Sequence, residues 1–146
     1  MLLTPKEYQE WIQNNVKDPV PMEDKSRLHE LLDVLSSEDT SIPYKDFALK
    51  GLGMMAIKYS ADPIILCGAI PLIKNQLNSQ NPMLIAQSIR TLLFIANNGG
   101  DKEIMHEKVH MIVRNIASEK NTPQHIKSMG LSLYFRILNI PLEHTF

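Results

Sequence analysis

Asp62-Pro63-Ile64-Ile65-Leu66-Cys67-Gly68-Ala69-Ile70-Pro71-Leu72-Ile73-Lys74-Asn75-Gln76-Leu77-Asn78-Ser79 decides how this chain folds. Asp followed by Pro opens a helix, because Pro lacks an N–H that the first helical turn leaves unpaired anyway. Gly68 supplies the backbone freedom for a sharp bend. Pro71 is tolerated only in a first turn, so a second helix opens just after Gly68. Ile70, Ile73 and Leu77 then recur at helical spacing. A short helix, a bend and a longer helix follow one another in eighteen residues.

The same punctuation extends in both directions. Thr4-Pro5, Ser41-Ile42-Pro43, Asn81-Pro82 and Thr122-Pro123 pair a side-chain oxygen suited to an N-cap with a proline suited to the first turn. Thr4 with Glu7 adds a capping box. Helical stripes fill the intervals: Tyr8, Trp11, Ile12; Leu28, Leu31, Leu32, Leu35; Phe47, Leu49, Leu52, Met55, Ala56; Leu84, Ile85, Ile89, Leu92, Leu93, Ala96; Val109, Ile112, Val113, Ile116; Ile126, Met129, Leu133, Ile137. Asn97-Asn98-Gly99-Gly100-Asp101 reads as a helix end, a left-handed cap and a new N-cap. No stretch alternates long enough for a half-buried strand. The chain is predicted to be all-α.

Laid over itself, the chain shows a period near forty residues. A shift of 39 pairs Ile65 with Ile104, Ile70 with Val109, Ile73 with Ile112 and Leu77 with Ile116. A shift of 40 pairs Ala48, Leu52 and Ala56 with Ser88, Leu92 and Ala96, and a shift of 41 pairs Leu92 and Phe94 with Leu133 and Phe135.

The segment Cys67–Ser79 resembles the second helix of an armadillo repeat, in which a Gly bends the chain and Ile-Pro opens the helix. The ladders Ala48/Leu52/Ala56 and Ser88/Leu92/Ala96 resemble that family's third helix, and the likeness extends over about residues 42–138; HEAT repeats are related. The resemblance implies an armadillo-like α-α superhelix of about three short repeats. In the copy at 101–118, His110 replaces Pro71 and no Gly precedes it. One domain over 1–146 is expected, with N-terminal cap helices in 1–40, repeats over 41–138 and a tail over 139–146. The alternative is a closed helical bundle. The opening Met1 and the tail after Asn139 favour a complete chain.

Composition narrows the function. Fifteen Lys+Arg against sixteen Asp+Glu leave a formal charge of -1, which removes the electrostatic case for nucleic acid or a membrane surface as partner. One cysteine, Cys67, excludes an intrachain disulfide framework and suits a reducing compartment, so the cytoplasm is expected, with the nucleus as a second possibility. No apolar run reaches the roughly 20 residues that span a bilayer.

One string looks catalytic. His106-Glu107-Lys108-Val109-His110 places two His four apart, a spacing that chelates Zn²⁺ on a helix with the Glu as general base. Val113 and Ile116 stand where the extended zinc-protease pattern needs Gly and His. Glu119, His125 and Glu143 are the remaining candidates for a third ligand, and the packing stripe already claims this helix. Cys67 reads as a buried thiol and Gly99-Gly100 as a helix–helix turn, since no strand precedes the glycines and no Gly-Lys-Ser/Thr follows. Met54-Met55 suits an adaptable binding surface.

The resemblance implies a surface site. In the family, third helices line a concave groove and an Asn near each helix end holds an extended peptide; the matching positions here are Met54, Phe94 and Phe135. Lys50, Arg90 and Leu131 stand four residues earlier. The asparagine ladder is therefore missing, although Asn97 follows Phe94 closely. Lys50, Met54, Arg90, Phe94, Asn97 and Phe135 form the candidate partner-binding set, suited to an apolar, mildly acidic segment. The expected function is a non-catalytic protein–protein interaction module (adaptor or regulatory scaffold) with no cofactor. The alternatives are a zinc-dependent hydrolase using His106, Glu107 and His110, and a self-associating solenoid segment.

Overall fold

The computed structural model describes residues 3–7, 10 and 20–139. Among the described residues every regular element is a helix and no strand occurs. The elements are α1 (Met22–Ser36), α2 (Ile42–Tyr59), α3 (Asp62–Leu66), α4 (Ala69–Gln76), α5 (Pro82–Ile95), α6 (Asp101–His106), α7 (Val109–Ser118) and α8 (Gln124–Leu138), with a π turn over Ala96–Gly100 between α5 and α6. None of these helices is long and apolar enough to cross a membrane.

The helix starts follow local chemistry, with three corrections, the first being Asp101, expected as a new N-cap and instead the first residue of α6 after Gly100. Thr4 and Glu7 form a capping box, Glu7 N donating to Thr4 Oγ1 at 3.2 Å and Thr4 N to Glu7 Oε1 at 3.0 Å. Asn81 Oδ1 accepts from the N–H groups of Met83 and Leu84 at 2.9 and 3.3 Å, with Pro82 opening α5. Asp62, expected as a cap, is instead the first residue of α3, and its N–H donates to Ser60 Oγ at 3.3 Å. Thr122, also expected as a cap, turns back and donates to the Ile116 carbonyl at 2.8 Å; Pro123 itself is the cap residue of α8. The expected helix over 5–16 lies mostly outside the described residues.

Alanine and serine at the contact points let α2, α5 and α8 lie side by side, with α5 in the middle. Ala48, Leu52, Ala56, Ser88, Leu92 and Ala96 are all buried there, and Thr91 Oγ1 donates to the Leu49 carbonyl at 2.9 Å across the α2–α5 contact. Arg136 of α8 donates to the Ala96 carbonyl at 3.0 Å. On the far side of this row, α1 packs on α2 and α4, and α7 packs on α8. Phe47, predicted in the core stripe, is 59% exposed instead.

Left-handed backbone recurs. Gly68 has φ 78° and precedes α4; Lys108 has φ 59° and precedes α7. Ser60 and Gly99, at φ 79° and 101°, precede the two short helices α3 and α6. Helix starts and burial pair Ala69 with Val109 and Ile73 with Val113, all fully buried. The two helix starts are 40 residues apart, which sets His110 opposite Ile70, one position from the pairing that a shift of 39 gives.

Leu3 and Pro5 line a cavity of about 580 Å³ with Met105, His106, Lys108, His110 and Met111. Leu3 and Pro5 therefore lie near the α6–α7 turn.

Candidate functional site

The middle helix is buried around most of its circumference. Along α5, Ala86 to Ile89 and Thr91, Leu92 and Ile95 are buried, while Met83, Arg90 and Phe94 are open, followed by Asn97 in the π turn. The spacing of seven, four and three residues draws these into one stripe on a single side. The neighbouring helices carry matching stripes: Lys50, Met54 and Ile57 on α2, and Leu131, Phe135 and Leu138 on α8, all exposed.

Two features join the stripes. Lys50, Arg90, Met83, Gln87 and His125 share a groove of about 410 Å³, so α2, α5 and α8 all reach it. Gly53 makes room for the Phe94 ring, since a Cβ there would stand 3.1 Å from Phe94 Cδ2. The ring lies in this notch and is 38% exposed, against 70% for Met54 and 56% for Phe135. Phe94 is the least exposed of the three.

Polar contacts hold the rim in place. Lys50 pairs with Asp46 at 3.2 Å, and Arg90 donates to Gln87 Oε1 at 2.8 Å. Asp24 of α1 accepts from Tyr59 and from Lys58 Nζ, the latter at 3.1 Å. The Tyr59 hydroxyl, and then Lys58, hold the Asp24 carboxyl below its ordinary range; Asp24 in turn raises both partners. Asp24 and Lys58 border a depression of about 310 Å³ that also takes in Met54.

All six sequence-derived candidates, Lys50, Met54, Arg90, Phe94, Asn97 and Phe135, are exposed on this row of helices. Ile57 and Leu138 were missed, although the shifts of 40 and 41 carry Asn97 onto them. His125 was considered only as a metal ligand, and lies instead in the Lys50–Arg90 groove.

The zinc motif does not form its required geometry. α6 ends at His106, Lys108 is left-handed, and α7 begins at Val109, so His106 and His110 sit on different helices. Glu107 Oε2 pairs with Lys74 Nζ at 3.6 Å. Among the described residues no group of three or more His, Cys, Asp or Glu is placed to hold a metal ion; Glu143 lies outside them. Among the described residues the Nδ1 atom of His110 is buried without a hydrogen-bond partner, and burial lowers the pKa of this imidazole. Cys67 is half-buried, its Sγ 3.2 Å from the Ile64 carbonyl. Gly99 and Gly100 lie in the π turn between α5 and α6.

The chain matches no protein-family model, no curated protein and no solved structure.

Proposed function

We propose that this chain is a non-catalytic protein-interaction module, an armadillo-like stack of short helical units that grips a segment of another protein on the α2–α5–α8 face. Recurrence of the short helix, left-handed residue and longer helix supports the stacked-unit reading. In such a stack each unit buries its apolar face only against its neighbours, and one flank stays open. The observation that carries the function is the stripe on α5: a helix buried nearly all round leaves Arg90 and Phe94 open between Met54 and Phe135. Exposed aromatic and Met side chains with Arg at the edge are the composition of an interface core.

The test is affinity capture with the wild type beside Lys50→Glu/Arg90→Glu and beside Phe94→Ala. A partner held by the wild type and released by both variants, with circular dichroism unchanged, supports the reading. Capture indifferent to all three changes overturns it. So does one equivalent of zinc that copurifies with the protein and is removed by His106→Ala.

A further inference from the structure

The chain as a whole carries a formal charge of -1, but its charges are unevenly distributed. Helices α2, α5 and α8 hold Lys45, Lys50, Lys58, Arg90, Lys127 and Arg136 against a single carboxylate, Asp46. Asp46 is already engaged with Lys50. On α1, Glu23, Glu30 and Asp33 are acidic too, and Asp24 reaches the edge of α2, where it pairs with Lys58. Lys50 and Lys58 are paired with Asp46 and Asp24 and Arg136 with the Ala96 carbonyl, so the positive charge at the open stripe is that of Arg90, held by the neutral Gln87, with Lys50 beside it.

We infer that the occupant of this face is an acidic amphipathic α-helix of about four turns from a partner protein, lying along α5; this rests on the interaction reading above. Charge complementarity sets the sign, because a partner placed beside Arg90 and Lys50 gains from Glu or Asp and loses from Lys. Length follows from the stripe. Met83 to Asn97 spans about 21 Å at 1.5 Å per residue, the length of roughly 14 helical residues. Packed helices stand about 8–10 Å apart, so a helix some 10 Å across laid along α5 would touch α2 and α8 on either side.

The side chains also select helix over strand. An extended segment must find partners for its own N–H and C=O groups. Met54, Ile57, Phe94, Leu131 and Phe135 offer none. A helix satisfies its backbone internally and needs only an apolar stripe at i, i+3, i+4 and i+7.

Selection from a random 15-residue peptide library on the folded full chain tests this. Enriched peptides are expected to carry Leu, Ile, Phe or Met at helical spacing with two or more acidic residues. Their affinity should fall about tenfold on Lys50→Glu/Arg90→Glu, a loss of roughly two exposed charge contacts plus repulsion. The same peptides with Glu exchanged for Lys should bind the double variant better than the wild type. Peptides that need Phe94 but are extended or basic overturn the helix and leave the interaction face standing. Peptides indifferent to Phe94→Ala and to the charge reversal overturn both. No enrichment, stronger binding to phosphatidylserine vesicles than to any peptide, or a size that doubles with concentration and returns to that of one chain on Phe94→Ala, each overturns the acidic helix as occupant.

Discussion

Asp62–Ile95 and Asp101–Leu138 run the same course: short helix, left-handed residue, longer helix, loop, long helix. They do so with residues of very different suitability. In the first, glycine occupies the left-handed position, and Ile70 fills the core behind it without exposure. In the second, Lys108 takes the left-handed conformation, and His110 stands where Ile70 would be, one ring nitrogen buried and, among the described residues, unpartnered. A local preference against left-handed backbone of about 1–2 kcal/mol is overridden when the flanking helices are held by buried contacts. Val109, Val113, Ile126 and Leu133 supply those contacts between α7 and α8. The lesson is that tertiary burial, not the turn residue, sets the path of the second segment.

Four substitutions sharpen or break that comparison. The largest effect is expected at Leu92, fully buried where α5 meets its neighbours: Leu92→Ala should cost about 2–5 kcal/mol in chemical denaturation. A loss under 1 kcal/mol would mean that α5 does not join the two segments. Next, Gly68→Val should cost about 2 kcal/mol. An added Cβ at Gly68 meets nothing within 4 Å, so the whole loss is backbone strain at φ 78°. Lys108→Gly should move the other way, stabilising by roughly 0.5–1 kcal/mol as relief of the left-handed lysine outweighs the entropy that glycine adds to the unfolded chain. An unchanged midpoint there would show that the two turns are equally well suited and that packing alone separates the segments.

The smallest effect is at His110 and depends on pH. Its folded pKa lies below the ordinary 6.5, because burial disfavours the imidazolium. The unfolded chain then binds the proton more readily, so this contribution is fully present above pH 6.5 and is lost as pH falls through the lowered native value. His110→Ile, which installs the residue found in the first segment, should flatten the fall in melting temperature between pH 7.5 and pH 5.5 relative to wild type. Identical slopes would remove His110 from the acid response.

Much of the fold was legible because proline, glycine and apolar spacing act within a few residues. Pro82 after Asn81 and the Thr4–Glu7 box lie where local rules put them. The misreadings share a cause: packing decides which carbonyl a group meets, which side of a helix is covered and where the chain bends. Thr122 has a nearby helix to cap but bonds back to Ile116, and Phe47 fits a core stripe yet faces solvent because α2 meets α5 along Ala48, Leu52 and Ala56. The two histidines four apart lose their common helix to a bend at a lysine, a residue with no left-handed preference of its own.

Helical class, the positions of most helix starts and the small-residue ladders came from the linear order of residues, since each is governed by groups within about four positions of one another. Which side of α5 stays open, the notch that seats Phe94 beside Gly53, and the pairing of Lys58 with Asp24 of another helix arose only when distant helices packed. Packing removes from water whatever lies between two surfaces, and a helix in isolation carries no record of which of its sides will be covered.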